Sequence, residues 1–207
     1  TIYKSKSNHS DSFYKQLRFY SLFNIVENIL KKNNYANFAE CGCWKGHSSF
    51  IIASIIKESN KNIKFHIFDS FEGLSVSTPR DSNFYSRDEE EKKNIARHFN
   101  SSELFVKNNV LKNFYFVETY KGWIPNRFKE VEGESFSFVH IDVDLYKPTK
   151  ESLEFFYPKL DAGGIIVCDD YNVGAYPGAK DAWDEYFSKQ EYSFFYKTPM
   201  GACFIVK

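Results

Sequence analysis

Residues 136–146 read FSFVHIDVDLY, an apolar run that ends abruptly in Asp142 and Asp144. The apolar, β-branched and aromatic residues before the acids predict a buried strand. Pro148 suits the first turn of a helix that follows. The stretch therefore places carboxylates in the connection between a strand and the helix that follows it.

The same arrangement recurs at residues 163–171, GGIIVCDDY, where a short apolar run delivers Asp169 and Asp170. The interval from Asp142 to Asp169 leaves room for one crossover helix, and such a crossover makes the two strands parallel. Parallel strands bring both acidic ends to one edge of the sheet, and ligands of open α/β sheets bind in the crevice outside that edge. We therefore expect a site among these acids.

Length and composition describe one domain with a substantial core. The chain has 207 residues, 43% of them hydrophobic, and its 27 basic and 27 acidic residues cancel. No basic stripe interleaved with aromatics is present, so we expect no nucleic-acid partner. The four cysteines lack paired C-x-x-C spacing and no apolar run is long enough to span a membrane. We expect free thiols, no membrane association and a cytoplasmic location.

Apolar residues recur at helical spacing from Phe13 to Leu30, and Asn33-Asn34 is a predicted stop. We expect residues 1–35 to form a helical extension packed on the domain, with a polar, mobile start, and residues 36–207 to form the domain itself. Within it, the polar residues 75–102 break the strand–helix pattern, which is typical of a lid or substrate segment.

The predicted first strand, within residues 37–46, runs into a turn containing Gly42 and Gly46, and a helix leaves it at residues 47–56. Glycines between a strand and a helix let a ligand approach backbone N–H groups at the positive end of the helix. The second strand, residues 63–68, ends in Asp69. Its distance from Gly46 is close to the roughly 20 residues that separate a glycine turn from a ribose-binding acid.

Four further elements complete the pattern. We predict a strand at residues 114–117, a helix at 178–187 and two closing strands at 193–196 and 202–206. The alternation of strands and helices predicts an α/β fold with a doubly wound, mostly parallel seven-stranded sheet, whose last strands form an antiparallel hairpin at one edge.

The first turn lacks the G-x-G-x-x-G pattern of a dinucleotide site, and Glu40 ends the strand before it. A carboxylate at this point would repel a pyrophosphate, but it would attract the ammonium and sulfonium groups of S-adenosylmethionine. Charge therefore favours the sulfonium cofactor.

These segments together resemble the macrocin O-methyltransferase family, a group with a Rossmann-like sheet. The resemblance is carried by ECGCWKG at residues 40–46, DSFEGL at 69–74, HIDVDLY at 140–146, YPKL at 157–160 and GG…DDY at 163–171. It implies a class I S-adenosylmethionine-dependent enzyme that methylates sugar or phenolic hydroxyls with Mg²⁺. The cofactor residues are then expected to be Glu40, Gly42, Gly46, Ser48, Asp69 and Ser70.

Asp142, Asp169 and Asp170 offer only oxygen ligands, which suit Mg²⁺, Mn²⁺ or Ca²⁺ rather than zinc. The resemblance assigns Mg²⁺ to these three residues, and an unshared oxygen of Asp142 is the candidate base. Structural roles compete with this assignment, because Asp170 could cap the next segment. Asp144 is expected to hold the helix N-terminus, and His140 to be a satisfied core residue.

The small-molecule acceptor stays open between a hydroxyl of a sugar or glycan precursor, favoured by the resemblance, and an aromatic catechol. Two rival functions are a nucleotide-dependent oxidoreductase and a non-catalytic protein that keeps the fold for assembly. Exposed aromatics at Phe84, Tyr85 and Trp183 are expected to allow a homodimer.

Overall fold

The computed structural model describes residues 13–31 and 35–207. Within these residues, seven strands form one sheet in the order β3-β2-β1-β4-β5-β7-β6. The strands are β1 (Asn37–Cys41), β2 (Phe65–Asp69), β3 (Val117–Lys121), β4 (Phe136–Ile141), β5 (Leu160–Cys168), β6 (Phe194–Lys197) and β7 (Cys203–Val206). The α-helices are α1 (Phe13–Leu30), α2 (His47–Ser59), α3 (Ser82–Tyr85), α4 (Glu89–His98), α5 (Glu103–Phe105), α6 (Tyr146–Lys159) and α7 (Pro177–Phe187).

Strands β1 to β5 pair in parallel, and β7 runs antiparallel between β5 and β6. The predicted fold class, a mostly parallel seven-stranded sheet with an antiparallel C-terminal hairpin, is confirmed. The chain moves outward from β1 in one direction through β2 and β3, and in the other through β4 and β5. The point of reversal lies between β1 and β4, where open α/β sheets bind their ligands.

Helices cover both faces of the sheet. Helices α1 and α2 pack on one face, and α6 and α7 on the other. Alternate residues of β1 serve the two cores, since Phe38 joins the first and Ala39 the second. All six residues of β4 are buried, as expected of a strand covered on both faces.

The third strand differs from its prediction. It spans Val117–Lys121, whereas the sequence pattern placed it at residues 114–117. The N–H of Val117 donates to the carbonyl of Phe114 at 3.1 Å, which closes a turn before the strand begins. The ring of Phe114 packs on Phe50 with centroids 5.7 Å apart. The apolar run thus serves the core as a loop rather than as a strand.

The expectation of three exposed aromatics is wrong for two of them. Phe84 is 3% exposed and Trp183 is 2% exposed, whereas Tyr85 is 46% exposed. Trp183 faces the sheet on the inner side of α7, in the core with Phe187. Of the three aromatic residues expected to allow a homodimer, Tyr85 is therefore the one that is exposed.

Some expectations concern the start of the chain. The polar start at residues 1–12 and the stop at Asn33-Asn34 lie outside the described residues. Over the described part, α1 packs on the domain through buried side chains such as Val26 and Ile29. All four cysteines are buried and free. None of the helices in residues 13–31 and 35–207 has the length and apolarity needed to cross a membrane.

Replacing Phe156 on α6 would test the packing of the core between the sheet and helices α6 and α7. Phe156 is fully buried, and its ring centroid lies 4.9 Å from that of Phe128 and 5.1 Å from that of Phe136. Phe156→Ala is expected to lower the free energy of unfolding by about 3–5 kcal/mol in urea titrations. Phe105 is 53% exposed, so Phe105→Ala is the matched control, expected to change it by less than about 0.5 kcal/mol. Equal losses in both variants would contradict this account of the core.

Candidate active site

Four carboxylates lie beyond the carboxyl ends of β4 and β5. Asp142 follows β4, and its N–H donates to the carbonyl of Cys41 at 2.8 Å. Asp169 follows β5, and its N–H donates to the carbonyl of Ile141 at 2.9 Å. Both N–H groups continue the hydrogen-bond ladder of the sheet, so the backbone fixes where the two side chains begin.

Asp142 and Asp169 converge with a histidine. One ligand atom from each of His140, Asp142 and Asp169 lies within 4.8 Å of the other two. His140 is buried, and its Nδ1 lies 2.9 Å from Oε1 of Glu40 while its Nε2 lies 3.9 Å from Oδ1 of Asp169. Two of the three predicted metal ligands therefore come together. The histidine that the sequence assigned to the core also turns one nitrogen toward them.

Asp170, the third predicted metal ligand, is turned differently. Its Oδ2 accepts a hydrogen bond from the N–H of Asp144 at 3.1 Å, and the side chain is buried. Burial, followed by the charges of Asp144 and Asp142, raises the pKa of the Asp170 carboxyl well above its usual value. Asp170 thus holds the backbone after β4, although it lines the same cavity as Asp142 and Asp169.

Asp144 does not hold the helix N-terminus as the sequence predicted. Its backbone is left-handed, with φ of 59°, and α6 begins after Leu145 without a side-chain cap from its own segment. Burial and the nearby charge of Asp142 raise the pKa of Asp144 to about 8. The side chain faces two cavities instead of the helix.

The residues present fit a divalent cation. Carboxylate oxygens with at most one imidazole nitrogen form a donor set suited to Mg²⁺ or Mn²⁺. The buried acids Asp144 and Asp170 have raised pKa values, which is the signature of negative charges crowded in a poorly solvated place. A divalent cation at Asp142 and Asp169 would relieve that crowding.

The glycine turn after β1 touches the acidic loop directly. Gly42 has φ of 82°, and a Cβ at this position would stand 1.9 Å from the carbonyl oxygen of Asp142. Gly46, with φ of 80°, precedes the first residue of α2. Only glycine combines this φ with so close an approach, so the turn and the acidic loop are fixed against each other.

Asp69 fastens the same turn. Its Oδ2 accepts hydrogen bonds from the N–H groups of Cys43 at 2.7 Å and Trp44 at 2.9 Å. Its Oδ1 accepts from the N–H of Phe71 at 2.6 Å. The carboxylate borders a cavity beside the turn, but it also shapes the backbone there, a role that the sequence spacing did not indicate.

Glu40 lies beneath the turn and lines neither cavity described below. It is fully buried and accepts hydrogen bonds from Ser49 Oγ and from the His140 ring. Other residues therefore separate the Glu40 carboxylate from both cavities. Its direct partner is the histidine that faces the acid cluster.

Two cavities meet at the acids. The first lies between the glycine turn and the ends of β2 and β3, where Ser70, Trp123 and Ile124 line it. The second, of about 680 Å³, lies under α1 and includes Ser48 and Asp169. Their shared wall consists of Gly42, Trp44, Phe99, Asp142 and Asp144. The two cavities are therefore neighbours at these residues.

Helix α1 forms a wall of the second cavity through Lys15, Arg18, Phe19 and Leu22. Arg18 forms an ion pair with Asp169, in which Nε lies 3.3 Å from Oδ1 and Nη2 pairs with Oδ2. Arg18 was not predicted as a site residue, because no local sequence pattern pairs it with an acid 151 residues away.

Segment 75–102 reaches the shared wall through Phe99. The Phe99 ring lies 6.0 Å from Trp44 and 6.4 Å from Tyr176 between centroids. Ser75, at the start of the segment, also borders the first cavity. The segment predicted as a lid or substrate element thus contributes side chains to both cavities.

Asp81, in this segment, holds the N-terminus of α6. It is fully buried, its Oδ1 accepts from the N–H of Tyr146 at 2.7 Å, and its Oδ2 accepts from the N–H and hydroxyl of Thr78. A carboxylate at a helix N-terminus satisfies an otherwise unpaired N–H and complements the helix dipole. Asp81 therefore performs the role that the sequence had given to Asp144.

The sheet order and the acids at its switch point define the Rossmann-like methyltransferase fold. The O-methyltransferase NovP has this fold, with a TM-score of 0.71 at 23% identity, covering 92% of this chain and 79% of that one. The family model of macrocin-O-methyltransferase (TylF) matches residues 9–194, and the chain belongs to this family. The resemblance found in the sequence is confirmed.

Two curated relatives are similar over most of this chain. Demethyldecarbamoylnovobiocin O-methyltransferase of Streptomyces niveus is 28% identical over 173 residues, 79% of this chain and 63% of that protein. The 8-demethyl-8-(2,3-dimethoxy-alpha-L-rhamnosyl)-tetracenomycin-C 4'-O-methyltransferase of Streptomyces olivaceus is 26% identical over 170 residues, 78% of this chain and 61% of that protein. The chain thus spans less than two thirds of the length of these relatives.

Replacing Gly178 would test whether Asp81 holds the N-terminus of α6, the contact called the anchor below. A Cβ at Gly178 would stand 1.9 Å from Oδ1 of Asp81 and 2.8 Å from the N of Tyr146. Alanine normally stabilises a helix relative to glycine, but Gly178→Ala is expected to lower the free energy of unfolding by about 1–3 kcal/mol, because it pushes Asp81 off α6. Thermal and urea unfolding would measure this. Gly174 has nothing within 4 Å of an added Cβ, so Gly174→Ala is the control. A stabilised Gly178→Ala protein would contradict the anchor.

Proposed function

We propose that this chain is an S-adenosylmethionine-dependent O-methyltransferase that methylates a hydroxyl of a sugar or of a natural-product or glycan precursor. The observation that carries the proposal is the wall shared by the two cavities, in which Gly42 of the glycine turn meets Asp142 and Asp144. A methyl donor in the first cavity and a hydroxyl in the second would meet at carboxylates. Family membership supports the same reaction.

The first cavity is the proposed cofactor site. Gly42 lines the cavity, Gly46 lies buried in the same turn before α2, and Asp69 and Ser70 border the cavity at the end of β2. We keep Asp69 as the ribose acid and Ser70 as a cofactor-binding residue of this cavity. Ser48 lines the second cavity and would meet the cofactor from that side. Glu40 contributes negative charge from beneath, in favour of a cationic donor.

Asp142 and Asp169 would hold Mg²⁺, with Asp170 as the third predicted ligand and His140 Nε2 beside them. When bound, the cation raises the acidity of a hydroxyl that it coordinates. Asp142 is the proposed base because its carboxylate lies in the shared wall. Asp144 is a second candidate on the same geometry. The chain's main contribution is to align the acceptor oxygen with the methyl group, which can supply about 7–11 kcal/mol.

The acceptor class follows from the cavity and from the relatives. The second cavity, of about 680 Å³, has room for a sugar ring with a further group attached. One relative is named for a 4'-hydroxyl methylation on a rhamnosyl group, which favours a sugar hydroxyl. A catechol, whose neighbouring hydroxyls would also chelate a cation, is the alternative acceptor. The oxidoreductase and non-catalytic alternatives have no support in the family assignment.

The remaining parts of the proposal concern organisation. We propose residues 36–207 as the catalytic domain, with the helical extension at residues 1–35 packed on it. Segment 75–102 is proposed to shape the acceptor site, because Phe99 lines both cavities. A cytoplasmic location and a homodimer remain expectations from the sequence.

Paired variants separate binding of the cation from proton removal. Asp142→Asn should reduce methyl transfer by about 10²–10⁴-fold, since it removes both a ligand and the proposed base, while S-adenosylhomocysteine affinity stays nearly unchanged. Mass spectrometry of products from glycoside and catechol acceptors, with Mg²⁺ or with EDTA, would measure transfer. Calorimetry would measure the affinity.

Asp144→Asn and Asp161→Asn complete the test. Asp161 lies at the opposite end of β5, so its variant should behave as the unmodified chain does. Loss of transfer with normal Mg²⁺ affinity in Asp144→Asn alone would move the base role to Asp144. Full methyl transfer by Asp142→Asn would contradict the proposed base and ligand roles of Asp142. Undiminished methyl transfer in EDTA would contradict the proposed role of the cation.

A further inference from the structure

Arg18 connects the N-terminal helix to the acid cluster. The contact between Arg18 and Asp169 joins residues 151 apart in the chain, and it engages both oxygens of the carboxylate. Asp169 is also one of the residues whose ligand atoms converge with those of His140 and Asp142. The same carboxylate therefore serves an internal cation and the proposed metal site.

The two halves of α1 are held differently. Its C-terminal half is anchored by buried Leu22, Val26 and Ile29. In the N-terminal half, Phe13 is 69% exposed and Tyr20 is 57% exposed, while Phe19 is partly buried against the first core. Lys15, Arg18, Phe19 and Leu22 line the second cavity. The ion pair from Arg18 is thus a polar contact that, together with Phe19, holds the less buried half of the helix over the acids.

The positive charge of Arg18 acts on the whole cluster. Its guanidinium pairs with Asp169, whose ligand atom lies within 4.8 Å of those of His140 and Asp142. The guanidinium thus already supplies part of the compensation that a divalent cation would supply. Two cations that share one carboxylate repel each other strongly at a separation of a few ångströms.

We infer that Arg18 and the divalent cation compete for Asp169, so that metal binding releases the N-terminal half of α1 from the acid cluster. This inference rests on the metal site of the proposed function. Arg18 is then a positioning residue: it acts on the reaction through Asp169 and through the cover that α1 forms over the acceptor cavity. In the metal-free protein the N-terminal half of α1 stays fixed over the second cavity, and in the metal-bound protein it is released.

Mn²⁺ affinity of the full chain tests the competition. Electron paramagnetic resonance would count free Mn²⁺ during titration of the unmodified protein, Arg18→Gln and Arg18→Lys. Arg18→Gln is expected to bind Mn²⁺ about tenfold more tightly, because a repelling charge is gone. Arg18→Lys keeps the charge and should stay near the unmodified protein. Lys31→Gln removes a charge from the other end of the helix, where Lys31 pairs with Glu27, and is the control.

Hydrogen–deuterium exchange of residues 13–24 tests the release of the helix. Exchange is expected to speed up when Mn²⁺ is added to the unmodified protein, and to be fast in Arg18→Gln with or without the metal. Equal or weaker Mn²⁺ affinity in Arg18→Gln would overturn the competition, even if methyl transfer is normal. Tighter Mn²⁺ binding without any change in exchange would overturn the release. No Mn²⁺ binding in any variant would remove the proposed metal site and this inference together.

Discussion

The site depends on one constraint, the burial of several carboxyl groups at a single sheet edge. Parallel pairing of β4 with β5 delivers Asp142 and Asp169 side by side, and the next residues add Asp144 and Asp170. Removing carboxylates from water costs several kcal/mol per charge unless partners compensate. The chain supplies Arg18 and backbone N–H groups as partners. Burial and the neighbouring carboxylates raise the pKa values of Asp144 and Asp170, so both side chains favour the neutral form, and a bound cation would favour their ionised form.

Backbone contact, rather than a charged pair, joins the two halves of the site. Because Gly42 lacks a Cβ, the glycine turn can rest on the carbonyl of Asp142, and Asp69 holds that turn from the other side. Two residues of the shared wall, Gly42 and Asp142, are therefore fixed against each other by main-chain contact directly after β1 and β4. The proposed methyl transfer would need support of this kind, since small displacements of the reacting atoms are costly.

Sequence patterns predicted what depends on local order. The fully buried β4 and the apolar end of β5 were predictable because an apolar run stops sharply at acids. The position of β3 was not, because its preceding aromatics serve the core from a loop. Partners distant in sequence also left no periodic signal. Asp81 caps a helix 65 residues away, and Arg18 reaches an acid 151 residues away. The sequence placed His140 inside a strand, but it did not indicate that the ring lies between the carboxyl groups of Glu40 and Asp169.

Segment 75–102 is tied to the body of the domain at two places. The excursion is closed at its base, where Glu72 bridges Asn100 and the missing Cβ of Gly73 admits the carbonyl of Ala96. It is fastened again by Asp81 beneath α6. Helix α4 has no buried residue, but it takes part in these contacts, since Ala96 belongs to it and the His98 ring lies 5.7 Å from that of Trp44 between centroids. Because Trp44 lines both cavities, the end of α4 connects the segment to the site as well as Asp81 does.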